Sequence, residues 1–332
     1  MSEQKPIVVV GSINMDLVAK TDVIPSAGET VAGTDFQIYP GGKGANQAVA
    51  VARLGYPVRL IGCVGNDGFG AQLKTHLKDA GVDISCVATC EGSSGVALIV
   101  VSSAGENSIV VTPGANSRVT TEIVIANVEV IRQAGMVLAQ LEIPIETVAY
   151  LAEICARENV PLILDPAPAI DLPQDIFQHI TWLTPNQTEA AFYSKIEPKE
   201  INVAGQVELA AAILAKGSRG VVLKMGSHGS YIASKMGLGE TVPAIRVQAI
   251  DTTAAGDAFN GGFATGLMLG KSPLESATFA ATVAGISVTR VGAQPSMPSL
   301  AEVREFMETM NTKSDKLAGR ANVDRAVQYG EN

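Results

Sequence analysis

Ile7-Val8-Val9-Val10, followed at once by Gly11-Ser12, is an unbroken run of β-branched residues that stops at a turn. A strand with one wet face alternates apolar and polar residues; an unbroken run reads as a strand covered on both faces, the signature of a parallel sheet. Similar runs recur at Val58 to Val64, Val137 to Leu141, Pro161 to Leu164 and Val221 to Met225. Between and after them, helical patterns span Gly44 to Leu54, Phe69 to Asp79, Ile145 to Arg157, Val207 to Lys216, Ala255 to Leu269 and Leu274 to Val288. Strands alternating with helices predict an α/β fold, a mainly parallel central sheet flanked by helices on both faces. Asp16 to Tyr39 and Gly95 to Thr112 break this rhythm with short alternating strands. They predict antiparallel ribbons, either a small β-sheet lid or an edge of the same sheet.

The 332 residues suit one large core with a small appendage. Hydrophobic residues at 47% and charged residues at 17% exclude global disorder. The net charge of −9 argues against a nucleic-acid partner, which needs a basic footprint, but leaves room for a nucleotide held by backbone amides. No apolar run approaches a membrane span, and MSEQKPIVVVGS has no signal-type pattern. A cytoplasmic protein without membrane contact is the expectation. Cys63, Cys86, Cys90 and Cys155 form no CxxC pair and lie far in sequence from His76, His179 and His228. Four buried reduced thiols are expected rather than a zinc site. Residues 313–332 read as a polar tail beyond an α/β domain of residues 1–312.

Ligands of open α/β sheets bind beyond the carboxyl ends of the strands. Asn14 and Asp16 follow the first predicted strand, Glu142 the run ending at Leu141, and Asp165 the run ending at Leu164. Asn186 and Glu189 follow Trp182 to Pro185, and Lys224 and Gly226 lie at the end of the run from Val221. Each alone reads as a cap or turn residue; together they point to a site. A dinucleotide fingerprint needs glycine where Ile13 and Asp16 stand. A P-loop needs glycine at Gln37 and Ser or Thr at Gly44. Both are excluded.

Two glycine-rich segments remain. In Pro40 to Gly55 (PGGKGANQAVAVARLG), Gly41 and Gly42 permit close backbone approach to a ligand, with Lys43 and Asn46 at the start of a helix. A turn and an Ala-rich helix explain the glycines and alanines but not the lysine and asparagine. In Asp251 to Phe263 (DTTAAGDAFNGGF), Ala255, Phe259, Phe263 and Leu267 make an apolar stripe. A helix therefore starts near Ala254, with Asp257 in its first turn off the stripe. Free amides of Ala254, Ala255 and Gly256 would cradle an anion. Alternatively, Asp251 or Thr252 caps the helix and Asp257 only complements its dipole.

GSINMDL (Gly11 to Leu17), GGKGANQAVA (Gly41 to Ala50), TPNQTE (Thr184 to Glu189) and DTTAAGDAF (Asp251 to Phe259) resemble, in order and spacing, the ribokinase family of sugar kinases. Val288 to Pro298 (VTRVGAQPSMP) resembles it too. GSINMDL and GGKGANQ are more similar to its ribose-phosphorylating members than to fructokinases or adenosine kinases. The resemblance implies a large α/β domain, a β lid from about 16–39 and 95–112 closing over the sugar, and a homodimer through the lids. It implies ATP as co-substrate, Mg2+, and a monovalent cation, usually K+. By the same resemblance Asn14, Asp16, Gly42, Lys43, Asn46 and Glu142 would hold the sugar. Asp257 would be the catalytic base, and Ala254, Ala255 and Gly256 the anion hole. Asn186 and Glu189 would sit near the phosphates and Mg2+. Lys224, Gly226, Ser227 and Gly229 would line the nucleotide site, together with Gly256. Asp251, Thr253, Ser287, Arg290, Gly292 and Ser296 would form the K+ site.

The chain departs from the family where Ala254 replaces a frequent glycine, Lys224 a frequent threonine, and Ala281 a histidine found in some members. The implied activity is transfer from ATP to the 5-hydroxyl of D-ribose, giving ribose 5-phosphate and ADP. A kinase for 2-deoxyribose, another pentose or a nucleoside is the alternative, although an aromatic content of 5% offers little for stacking a base. A non-catalytic sugar-binding protein is the alternative from another class.

Overall fold

Alternate residues of β1 (Ile7–Val10) serve two different cores. Ile7 and Val9 join one apolar cluster, Val8 and Val10 the other, and all four are fully buried. That double burial is what an unbroken β-branched run requires. In the computed structural model, which describes residues 4–196 and 202–309, β1 lies inside a large sheet.

The chain continues through β2 (Asn14–Thr21), β3 (Gly33–Gly41), α1 (Lys43–Arg53), β4 (Val58–Gly65), α2 (Gly68–Asp79) and β5 (Asp83–Cys90). Then come β6 (Gly95–Ser102), β7 (Asn107–Thr112), the short helices α3 (Thr121–Ala126) and α4 (Val128–Gln133), β8 (Met136–Ala139), α5 (Ile145–Arg157) and β9 (Leu162–Leu164). The remainder is β10 (Trp182–Leu183), α6 (Gln187–Ser194), α7 (Val203–Lys216), β11 (Gly220–Lys224), β12 (Ser230–Ser234), β13 (Gly239–Val242), α8 (Ala255–Met268) and α9 (Pro273–Ser287).

The large sheet has the order β13-β12-β11-β10-β9-β8-β1-β4-β5. Its pairings are parallel from β11 to β5 and antiparallel at β12 and β13. One core lies between this sheet and α1, α8 and α9, with Phe263 and Ala280 at 0% exposure. The other lies under α5 and α7, with Leu151 and Ile213 at 0%.

The two irregular segments form a separate four-stranded sheet of order β3-β2-β6-β7, not an edge of the large one. Each segment is an antiparallel hairpin, as expected, and the two hairpins join in parallel through β2 and β6. Ile38, Leu17, Leu98 and Val110 form one cross-strand row, and Phe36 lies on the same face two residues along. Asp16 is on the opposite face, because successive strand residues alternate sides. Phe36, Ile38, Leu98 and Val110 remain 47–60% exposed.

Helix α7 starts four residues earlier than the apolar pattern indicated, because the Asn202 side chain caps it by accepting from the Gly205 amide. All four cysteines are free, but only Cys63 and Cys155 are buried. Cys86 and Cys90 are half-buried on β5, the sheet's edge strand, which corrects the expectation of four buried thiols. Among the described residues no helix is long and apolar enough to cross a membrane. The tail expected at 313–332 lies outside the described residues.

Candidate active site

Three residues separate β1 from β2, and in that interval the chain leaves the large sheet for the small one. Asn14 and Asp16 sit at the start of β2. Asn116 holds this crossing: its Oδ1 accepts the Ile13 amide at 2.8 Å and its Nδ2 donates to Asn14 Oδ1 at 2.6 Å. Gly41 and Gly42 were expected to admit a ligand; they also admit the chain itself. A Cβ on Gly41 would fall 2.2 Å from Asp16 Oδ2, and Gly42 has φ of 88° beside the Asn14 amide.

Glu142 ties the crossing to α1. Its Oε2 accepts Ser12 Oγ at 2.6 Å and the Lys43 amide at 3.1 Å, and its Oε1 lies 3.8 Å from Lys43 Nζ. Burial, reinforced by Glu142 and Asp257 and opposed by Lys43, pushes the Asp16 carboxyl up to about 7. Burial works against the Lys43 ammonium, but Asp257, Glu142, Asp165 and Glu189 together hold its pKa above the ordinary lysine value.

Asp257 occupies the first turn of α8 and is 6% exposed. Asn46 Nδ2 donates to its Oδ2 at 2.9 Å and Gln47 Nε2 to its Oδ1 at 3.0 Å. Gln294 in turn donates to Asn46 Oδ1 at 3.1 Å. Burial, opposed by Lys43 and helped by Asp165, pushes the Asp257 carboxyl up to about 6. Ala254 stands at the helix N-cap in the left-handed region, φ 57°, with no side-chain cap. The Ala255 amide is not free as expected: it donates to the Thr252 carbonyl at 3.2 Å. Among the described residues the amides of Ala254, Gly256 and Asp257 find no backbone acceptor, so Asp257 takes the place of Ala255 in the unpaired set.

A cleft of about 500 Å³ opens beside this helix end. Asn186, Glu189, Lys224, Gly226, Ser227, Gly229 and Gly256 all line it, with Lys43 and Asp257. One stretch of its wall is apolar, with Ile245, Val247, Ala281 and Ala284. Asn186 and Glu189 also cap α6 reciprocally: Glu189 N donates to Asn186 Oδ1 at 2.9 Å, and Asn186 N to Glu189 Oε2 at 2.7 Å. Cap and cleft wall are the same two residues. Burial and Asp165 raise the Glu189 pKa against the pull of Lys224. Lys224 Nζ lies 2.9 Å from Asp165 Oδ1.

Asp251, Thr253 and Gly292 come together: Asp251 accepts the Thr253 amide at 2.9 Å and the Gly292 amide at 2.8 Å. Burial works against the Asp251 charge, yet these bonds hold its carboxyl below the usual range. The Ile250 and Asp251 amides both donate to the Val288 carbonyl. The Arg290 amide bonds the Ser287 carbonyl at 3.1 Å, while its guanidinium turns to Glu302. The hydroxyls of Ser287 and Ser296 bond the carbonyls of Ala284 and Ala293.

Asn116, Gln47, Gln140 and Gln294 received no role from the sequence. Gln47 lies inside the quoted GGKGANQ segment, the one signal that could have flagged it. Gln294 likewise lies inside the quoted Val288 to Pro298 segment, while Asn116 and Gln140 carry no local mark.

A buried carboxylate beside unpaired helix amides and an adjoining cleft suit an enzyme that transfers an anionic group. Residues 4–300 match the pfkB family carbohydrate kinase profile, and the chain belongs to that family. It is similar to the ribokinase of Schizosaccharomyces pombe, with 42% identity over 90% of this chain and 96% of that one. Among solved structures it is similar to a ribokinase from Thermotoga maritima, with TM-score 0.84 and 37% identity over 92% of this chain and 99% of that one. It is also similar to the Arabidopsis thaliana ribokinase complexed with ribose and ATP, with TM-score 0.86 and 33% identity over 91% and 98% of the two chains.

Proposed function

We propose that the chain transfers the terminal phosphoryl group of ATP to the 5-hydroxyl of D-ribose, giving ribose 5-phosphate and ADP. The observation that carries this reading is Asp257: a buried carboxylate that lines the cleft, lies near enough to act on the charges of Asp16 and Lys43, and stands beside the unpaired amides of Gly256 and Asp257. Similarity to ribokinases over about nine-tenths of the chain supports ribose as the sugar.

Asn14, Asp16, Gly42, Lys43, Asn46 and Glu142 hold the sugar; the Asp16 carboxylate accepts from two hydroxyls at once. Adenine fits the apolar wall of Ile245, Val247 and Ala281, and the phosphates run past Lys224, Gly226, Ser227 and Gly229 toward Gly256. Asp257 takes the hydroxyl proton as the sugar oxygen bonds to phosphorus. The bond from phosphorus to the leaving diphosphate breaks, and its electron pair leaves with ADP. The helix amides stabilise the phosphoryl oxygens.

Among the described residues no three His, Cys, Asp or Glu side chains are grouped to hold a metal. That suits Mg2+, which keeps its waters, binds chiefly to substrate phosphates and supplies charge neutralisation there. Asn186 and Glu189, which line the cleft, would hold it through water. Asp251, Thr253 and Gly292, with carbonyls near Ser287, Arg290 and Ser296, suit a monovalent cation such as K+, which takes oxygen ligands from the main chain.

The small sheet acts as a lid with its Asp16 face, and its opposite face, with Phe36, Ile38, Leu98 and Val110, pairs with a second copy of the chain. The acidic charge suits a cytoplasmic enzyme, as does a set of described residues in which no helix is long and apolar enough to cross a membrane.

ATP-dependent ADP release, measured against ribose, 2-deoxyribose, arabinose, fructose and adenosine with Mg2+ and K+ present, tests the reading. Selective turnover of ribose is expected. Turnover of another substrate moves the specificity, and ribose binding without turnover supports a sugar-binding protein instead.

A further inference from the structure

One buried ion pair lines the phosphate path but has no role in the transfer step above. Lys224 and Asp165 have side chains only 13% and 3% exposed, and their Nζ–Oδ1 separation is 2.9 Å. Both line the cleft. Lys224 ends β11, where its amide bonds the Pro185 carbonyl at 2.8 Å. Its Nζ lies 3.4 Å from the point where a Cβ on Gly256 would stand, over the first turn of α8 and the unpaired amides.

Asp165 follows β9, and its second oxygen accepts Gln47 Nε2 at 3.0 Å. The same Gln47 nitrogen donates to Asp257 Oδ1 at 3.0 Å. Gln140 Nε2 donates to Gln47 Oε1 at 2.7 Å, which turns the amide nitrogen toward both carboxylates. Asp165 thus holds a cation with one oxygen and, through a single amide, braces Asp257 with the other.

Charge shows why a cation is needed there. Asp16, Glu142, Asp165, Glu189 and Asp257 crowd a site that is to receive a polyphosphate, and among the described residues Lys43 and Lys224 are the cations that face them. Lys43 leans to the sugar end, beside Glu142. Lys224 is the cation at the phosphate end.

We propose that Lys224 is a catalytic residue that binds the transferring phosphoryl group, and that Asp165 is its positioning residue, holding it above the helix amides and, through Gln47, orienting the carboxylate of Asp257. This rests on the kinase reading and adds a role to it. Lys224 gains no bond and loses no proton; it neutralises charge on the phosphoryl oxygens and on the diphosphate as it departs. In the nucleotide-free enzyme, Asp165 keeps the ammonium ordered.

Lys224→Met alone leaves Asp165 buried without its partner, which destabilises the fold. The deciding variant is therefore the double substitution Lys224→Met with Asp165→Asn, which removes both charges. It is expected to unfold within a few degrees of the unmodified protein, yet to turn over about 100- to 1000-fold more slowly, the scale of losing one donor to a developing charge, with ribose affinity unchanged by calorimetry. Turnover within threefold of the unmodified protein would leave the pair a structural device and overturn the proposal. Lys224→Arg is expected to restore part of the rate.

Independent of turnover, Lys224→Met with Asp165→Asn is expected to weaken a non-hydrolysable ATP analogue at least tenfold more than ADP. Equal losses for the two nucleotides also overturn it. Asp165→Asn alone is expected to move the acid limb of the kcat profile to lower pH, since it removes a negative neighbour of Asp257; an unmoved limb overturns the positioning role. The unmodified protein in the same assay reports separately on the kinase reading, so failure of that reading and failure of this one give different results.

Discussion

Asp257 receives two amide donors, one on each oxygen, in a site where almost no water reaches it. Asp257→Asn would set an amide nitrogen against one of those donors but would remove a buried charge. The fold is expected to survive, with ribose and ATP bound within a few-fold of normal and turnover reduced about 100- to 10,000-fold, the usual range for a lost general base. Retained turnover in steady-state assays would remove Asp257 from the role of base. With its carboxyl at about 6, activity is expected to climb between pH 5 and pH 7. Ala254 makes a different prediction. An alanine at φ 57° costs about 1–2 kcal/mol, and a glycine there frees the unfolded chain by about 0.4–1 kcal/mol. Ala254→Gly is therefore expected to stabilise by up to about 1 kcal/mol in thermal unfolding, with turnover kept. A loss of stability would mean that the methyl group packs better than its backbone strain suggests. The residues legible in the sequence were those that break their surroundings, such as Lys43 and Asp257 amid glycine and alanine. Gln47 was not, because its amide gains meaning only from Gln140 and Asp165, 93 and 118 residues away.

Elements were legible where a single chemical cause sufficed. The runs of Val and Ile forecast β1, β4, β8, β9 and β11 to within a few residues, because burial on both faces leaves no polar position. Strands β12 and β13 escaped, being short, antiparallel and at the sheet's edge. Helix α6 escaped although Asn186 and Glu189 spell a capping box, because its eight residues are too few to show a clear helical period. The segment from Ile250 to Thr253 has its own consequence. It is fastened to the end of α9 and the loop beyond by Val288 and Gly292, and it leads directly into α8. A cation bound beside Asp251 would fix the position of that helix end and its unpaired amides. Turnover is therefore expected to rise when K+ replaces Na+ at constant ionic strength, and Asp251→Asn is expected to blunt the response. Equal rates in the two salts would remove the selective site.

At the scale of the molecule, two surfaces give predictions. The outer face of the small sheet exposes a row that a solitary soluble protein has no reason to keep apolar. Leu98→Asp or Phe36→Asp is expected to convert the proposed dimer to monomers in sedimentation velocity; a dimer unchanged by either substitution would place the interface elsewhere. The interior of the site holds Asp16 at about 7 and Asp257 at about 6, both raised from 3.8. Raised folded-state values mean that the folded protein binds the extra protons. Their stabilising contribution is full below about pH 4 and disappears as pH climbs through 6 and 7. Asp16→Asn is expected to weaken the decline in ligand-free melting temperature between pH 5 and pH 8; an unchanged slope would locate the cause in other groups.

The crossing between β1 and β2 carries a last consequence. Gly11, Ser12 and Ile13 alone separate a strand inside the large sheet from the one that begins the small sheet, and Asn14 and Asp16 lie just beyond them. Any rotation of the small sheet about this crossing carries Asn14 and Asp16 with it. With ribose held by Asn14 and Asp16 as proposed, its affinity and the angle between the sheets would be one equilibrium: the apparent dissociation constant equals the intrinsic one divided by the fraction of molecules at the binding angle. A substitution that only stiffens or loosens those three residues would change the apparent affinity for ribose without touching the sugar.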